Sequence, residues 1–113
     1  MRQDGKIDYV EMPGRDLAAV KRFYGDAFGW AFTDYGPSYA AYSEGLDGGF
    51  DADAASPLAK PLVVLFATDL EAMEAKVRAA GGEVVKPIFS FPGGRRFQFN
   101  DPAGNEMAVW SET

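Results

Sequence analysis

Two stretches decide how this chain folds: Asp16-Leu-Ala-Ala-Val-Lys-Arg-Phe-Tyr-Gly-Asp-Ala-Phe-Gly29 and Asp69-Leu-Glu-Ala-Met-Glu-Ala-Lys-Val-Arg-Ala-Ala-Gly-Gly82. The first opens on Asp16, suited to accept a first-turn amide hydrogen bond, and closes on Gly29, well placed for a left-handed cap, while Gly81-Gly82 stops the second. Between these ends Leu17, Val20, Phe23, Tyr24 and Ala27 fall at helical spacing, as do Leu70, Met73, Val77 and Ala80. A shift of 53 positions superposes Asp16 on Asp69, Leu17 on Leu70, Ala19 on Ala72, Ala27 on Ala80 and Gly29 on Gly82. The order of Asp start, apolar stripe and Gly stop is kept in both, which identifies an internal repeat. The second helix also carries Thr68-Asp-Leu-Glu71, the form of a capping box with Thr68 as cap.

Working outward, each helix is preceded by a short strand pattern. Ile7-Asp-Tyr-Val-Glu-Met12 alternates and is broken by Pro13-Gly14, and Leu62 to Ala67 is an apolar run of strand length. Strands are expected after the first helix at Trp30 to Tyr35, Tyr39 to Ser43 and near Gly48-Gly-Phe50. After the second they are expected at Glu83 to Ser90, Arg95 to Asn100 and Glu106 to Ser111. Asp101-Pro-Ala-Gly-Asn105 has the turn chemistry of a tight connection between the last two. The chain therefore reads as βαβββ twice. It is expected to form a single α+β domain, with module one over about 6–50, a linker over about 51–60 and module two over about 61–113.

Composition excludes several chemistries. The 113 residues contain no Cys and no His, so there is no disulfide scaffold, no thiol nucleophile, no imidazole base and no His- or Cys-ligated metal. The net charge of −6 is the opposite of what a general nucleic-acid binder carries. No apolar leader run follows Met1, and Pro61-Leu-Val-Val-Leu-Phe-Ala67 is too short to cross a bilayer, so a cytoplasmic protein without a membrane partner is expected.

The repeat, with Asp16-Leu17, Phe23-Tyr24, Phe28-Gly29-Trp30 and Asp101-Pro-Ala-Gly-Asn105, resembles the vicinal oxygen chelate superfamily, which includes glyoxalase I, bleomycin-resistance proteins and extradiol dioxygenases. The resemblance covers nearly the whole chain. It implies two βαβββ modules forming a curved mixed sheet around a cleft, with the helices outside, and it implies a homodimer. In metal-dependent members the cleft holds a divalent ion on His and Glu. By that resemblance the ligand positions here are Tyr9, seven residues before Asp16; Val63, six before Asp69; and Ala108, seven after Asp101. The fourth comes from the end of module one, where Asp51 is the nearest carboxylate. Val and Ala offer no lone pair and a neutral phenol is a poor ligand, so no metal and no cofactor are expected.

Strand alternation extends the candidate site. If Tyr9 faces the cleft, Glu11 does too, while Val10 and Met12 face the helices. The inward set then reads Tyr9, Glu11, Val63, Leu65, Arg96, Gln98, Glu106, Ala108 and Trp110, with Tyr39 or Tyr42 as a further member, whereas Phe97 and Phe99 belong to the helix-side core. An apolar floor with a few polar groups suits a small organic ligand. Two kinds of function remain open. One is a metal-free binding protein of the bleomycin-resistance type. The other is a lyase- or isomerase-type enzyme, working either with Glu11 or Glu106 as base and Tyr9 as acid, or with relocated oxygen ligands.

Overall fold

The computed structural model describes residues 2–53 and 59–113. Residues 54–58, the middle of the expected linker, and Met1 lie outside the described residues. The described chain forms β1 (Ile7–Pro13), α1 (Leu17–Phe28), β2 (Thr33–Asp34), β3 (Tyr39–Glu44), β4 (Leu46–Asp51), β5 (Leu62–Phe66), α2 (Leu70–Ala79), β6 (Glu83–Phe91), β7 (Gly94–Asn100) and β8 (Glu106–Ser111). The order is βαβββ twice, an α+β fold. It divides into two compact units, Tyr9–Leu62, and Val63–Thr113 together with the segment up to Asp8.

Both units follow one plan. In the first, the strand order is β2-β3-β4-β1, with β1 parallel to β4 and the other pairs antiparallel. In the second it is β6-β7-β8-β5, with β5 parallel to β8 and the others antiparallel. The parallel pair needs a crossover, which α1 with β2 and β3, and α2 with β6 and β7, provide. Both helices begin alike: the Asp16 carboxylate accepts from the Ala19 amide at 3.1 Å and the Asp69 carboxylate from Ala72 at 3.0 Å. The cap of α2 is thus Asp69, not Thr68. The Thr68 hydroxyl and amide both donate to the Asp4 carboxylate instead, at 2.7 and 2.8 Å, tying the N-terminal segment to the start of α2. Gly29 closes α1 at φ 73°, but the left-handed residue after α2 is Gly81 at φ 99°, one position before the repeat equivalent. Gly82 instead approaches Val77 so closely that a Cβ would stand 2.6 Å from its Cγ1.

Two expectations are trimmed. The strand expected over Trp30 to Tyr35 shrinks to Thr33–Asp34, because Trp30 and Phe32 leave the ladder to pack their rings against Tyr42. On α1, Leu17, Val20 and Tyr24 are half-buried, while Phe23 and Ala27 are exposed. The aromatic core of the first unit therefore gathers around Tyr24, with Trp30 stacked on it at 4.7 Å and Phe50 at 5.3 Å. In the second unit Ala67, Leu70, Phe97 and Val109 form the buried core, backed by Leu65, Met73, Val77 and Phe99.

The glycine pair on β4 sets the geometry of the first unit. A Cβ on Gly48 would overlap the Tyr42 hydroxyl and the carbonyl oxygen of Val10, and a Cβ on Gly49 would overlap the Tyr39 ring. Consecutive strand residues point to opposite faces, so Gly48 makes room for Tyr42 on the α1 side and Gly49 makes room for Tyr39 on the other. Backbone oxygen cannot swing aside as a ring can. Gly48→Ala is therefore expected to destabilise the protein by about 1–3 kcal/mol in urea unfolding, and Gly49→Ala by less.

Candidate functional site

The face of the first unit opposite α1 carries the polar groups. On β1, Tyr9 pairs in register with Asp47 and Glu11 with Gly49, whereas Val10 and Met12 pair with Gly48 and Phe50 on the helix side. On β3 the same alternation puts Tyr39, Ala41 and Ser43 on the Tyr9 face and sends Ala40 and Tyr42 to the helix side. Tyr42 packs its ring between Trp30 and Phe50 and donates its hydroxyl to the Val10 carbonyl at 3.0 Å. Of the two tyrosines offered by the sequence, Tyr39 is thus the one that joins Tyr9.

Tyr9, Tyr39 and Glu11 form a chain of hydrogen bonds. The Tyr9 and Tyr39 hydroxyls bond each other, and the Tyr39 hydroxyl donates to Glu11 Oε2 at 3.5 Å. Glu11 is buried, at 8% exposure. Because Tyr39 directs its single proton to Glu11, Tyr9 supplies the proton of the tyrosine pair. Burial raises the Tyr39 and Tyr9 hydroxyls above the ordinary phenol value, and neighbouring Glu11 adds to the effect. Burial also pushes Tyr42 up to about 12. All three are neutral phenols at physiological pH.

Above this chain lies a hollow of about 350 Å³, bordered by Tyr9, Tyr35, Tyr39, Thr33, Ser43 and Asp47 among others. The Ser43 hydroxyl donates to Asp47 Oδ1 at 2.7 Å, which fixes that carboxylate at the rim. None of the bordering residues is Lys or Arg.

The remaining sequence candidates lie in the second unit, and there the structure corrects two of them. Register pairs Val64 with Ala108 and Phe66 with Trp110, while Val63 pairs with Met107 and Leu65 with Val109. Leu65 packs on the helix-side core, so Val63 and Leu65 do not share the face of Ala108 and Trp110; Val64 and Phe66 do. The 53-residue repeat, which maps Tyr9 onto Leu62, already carried the correct parity.

On that face Arg96 pairs with Trp110 and Gln98 with Ala108. Gln98 is 2% exposed and donates to Glu106 Oε2 at 2.7 Å, and its own oxygen has no hydrogen-bond partner among the described residues. The Arg96 guanidinium lies 5.3 Å from the Phe89 ring and 5.7 Å from Phe91, within cation–π range. Trp110 is held from several sides. Its indole donates to Asp8 at 2.9 Å, Arg2 stands 5.1 Å over the ring, and Phe66 and Phe91 contact it at 5.6 and 6.3 Å. So many partners mark it as a packed structural residue of its unit. The neighbouring Arg95 turns away to a two-pronged pair with Glu71 at 2.6 and 3.2 Å.

A divalent ion of the kind held by metal-dependent members does not fit these residues. The Tyr9 oxygen is a neutral phenol engaged with Tyr39, and Ala108 is wholly buried without a donor atom. Val64 and Val63 are equally inert, whichever register is taken. Among the described residues no group of three or more carboxylates is placed to replace those donors. No helix among them is long and apolar enough to cross a membrane.

Comparison with known proteins agrees with this architecture. The family model described as Glyoxalase/Bleomycin resistance protein/Dioxygenase superfamily matches residues 6–109. The putative glyoxylase CFP32 of Mycobacterium bovis is 27% identical over 96% of this chain and 46% of its own length. The anthracycline biosynthesis protein DnrV of Streptomyces peucetius is 33% identical over 94% of this chain and 46% of its own. The chain thus spans about half the length of these curated relatives. Methylmalonyl-CoA epimerase from Mycobacterium tuberculosis superposes with a TM-score of 0.73 over 100% of this chain and 91% of its own, at 15% identity, a likeness of fold alone. With the paired βαβββ plan and a family match running from β1 into β8, this chain belongs to the Glyoxalase/Bleomycin resistance protein/Dioxygenase superfamily.

Proposed function

We propose that the chain is a metal-free binding protein for a small organic molecule, held in the tyrosine-lined hollow of the first unit. The observation that carries this reading is the hydrogen-bonded Tyr9–Tyr39 pair bordering that hollow, with Glu11 bonded behind Tyr39. It supplies aromatic surface and hydroxyls of fixed direction, the combination by which small-molecule sites gain affinity and orientation. Metal-free action is supported by the donor set: Tyr9 and Ala108 stand where metal-dependent members place ligands. Arg96, Gln98, Glu106 and Trp110, on the face of the second unit away from its helix, are read as structural residues of that unit rather than contacts of this ligand.

A second reading is favoured by the same chain. Glu11 reaches the hollow through Tyr39 and Tyr9, so a metal-independent isomerase or lyase with Glu11 as base and Tyr9 as the group facing substrate fits the connectivity. Glu11→Gln separates the two: a binding protein keeps its affinity within a few-fold, whereas an enzyme loses turnover.

We also propose that the protein works as a homodimer. Phe23 and Phe28, at 57% and 63% exposure on α1, supply apolar surface for a second copy. Sedimentation equilibrium at micromolar concentration should give twice 12.2 kDa, and a monomer would refute the pairing.

A thermal-shift screen of small organic compounds tests the binding reading. Stabilising compounds are expected to lose roughly 1–3 kcal/mol of affinity in Tyr39→Ala. Phe99→Ala, in the helix-side core of the second unit, should lower Tm without changing Kd. Hits whose Kd is indifferent to Tyr39→Ala would displace the site.

The buried phenols also give a pH dependence. Their folded pKa values lie above the ordinary 10.0, so the unfolded chain ionises first as pH rises. Their contribution is fully present below pH 10.0 and is lost as pH climbs from there toward the folded values, about 12 for Tyr42. Urea midpoints should be flat from pH 8 to 9.5 and fall beyond, and Tyr39→Phe should lessen the fall. An undiminished fall in that variant would contradict the burial of Tyr39.

A further inference from the structure

Building on the binding reading, we propose that the hollow of the first unit takes a flat aromatic cation bearing a protonated nitrogen. Three features of the site converge on that class. The first is hydrogen-bond polarity. Tyr39 spends its proton on Glu11 and Tyr9 spends its proton on Tyr39, so the oxygen that Tyr9 turns to a ligand offers lone pairs and no hydrogen. A ligand answering it must donate. The second is charge. Asp47 at the rim accepts from Ser43 through Oδ1 and keeps Oδ2 for another donor, and no Lys or Arg borders the hollow to compensate it. The whole chain carries −6, which draws cations toward it from a distance.

The third feature is surface. Tyr9, Tyr35 and Tyr39 border the hollow, and the quadrupole of a tyrosine ring attracts a cation to its face. Tyr35 is 66% exposed, which leaves its ring available to cover one side of a planar molecule. An anionic ligand meets the opposite conditions: a carboxylate at the rim, lone pairs at the floor and no basic residue. A neutral hydrocarbon gains the stacking but leaves the Tyr9 and Asp47 oxygens without donors, at a cost in affinity.

Three tricyclic probes of one shape separate these cases by fluorescence titration at pH 7.5: 9-aminoacridine as the cation, acridine as the neutral ring and anthracene-9-carboxylate as the anion. The proposal expects 9-aminoacridine to bind roughly three- to tenfold more tightly than acridine, with the carboxylate weaker still. Asp47→Asn should reduce the preference for the cation over acridine by about two- to fivefold and leave acridine unchanged. Tyr39→Ala should weaken both. Equal binding of all three probes, lost in Tyr39→Ala but indifferent to Asp47→Asn, overturns the cation class and leaves the hollow standing as a binding site. Failure of all three to bind the wild-type chain overturns the cation class and counts against the hollow itself.

Discussion

The first unit depends on two hydrogens where most strands carry side chains. Gly48 and Gly49 sit side by side on β4, and each lets a tyrosine of β3 lie flat on the sheet, Tyr42 on one face and Tyr39 on the other. Tyr42 can then reach the Val10 carbonyl and complete the aromatic core under α1. Tyr39 can reach both Tyr9 and Glu11 on β1. A side chain at either position would lift its ring from the sheet. Core and candidate site are in this sense two outcomes of one backbone feature, and the low β-propensity of glycine is the cost of having both.

The two units use one strand plan for different ends. In the first, the face away from the helix is open above a chain of hydroxyls. In the second, the same face is closed by side chains: Trp110 is pinned by Asp8, Arg2, Phe66 and Phe91, and Gln98 is buried against Glu106. A tryptophan tied down by a hydrogen bond, a cation and two rings has little freedom left with which to accommodate a ligand. The asymmetry explains why a repeat clear in the helices need not carry a repeated function.

The parts of the fold governed by local chemistry were legible in the sequence. Asp16 caps its helix, and Glu106 to Ser111 is the last strand to the residue, because caps, apolar spacing and turn residues act over a few positions. Where long-range packing decides, sequence reasoning slipped. Thr68 has the spacing of a capping box, but Asp4, far away in the chain, takes its hydroxyl. Trp30 and Phe32 have strand propensity, but the pull of Tyr24 and Tyr42 is stronger. At the site, Tyr9 and Glu11 share a face as alternation requires. Val63 and Leu65 do not join Ala108, because a shift of one residue moves every side chain of a strand to the other face. Asp47 and Tyr35 carried no signal of their own. Only the glycine pair beside them hinted that something close-fitting passed over β4.

The central claim is that ligand binds over Tyr9 and Tyr39 rather than beside Trp110. The most direct measurement is an NMR titration of protein labelled at the ζ carbon of its five tyrosines and the indole nitrogen of its two tryptophans, with 9-aminoacridine added. The account predicts that the Tyr9 and Tyr39 resonances move together, saturating at one equivalent per chain, with Tyr24 and the Trp110 indole unmoved. Movement of the Trp110 indole with Tyr9 and Tyr39 unmoved would contradict it.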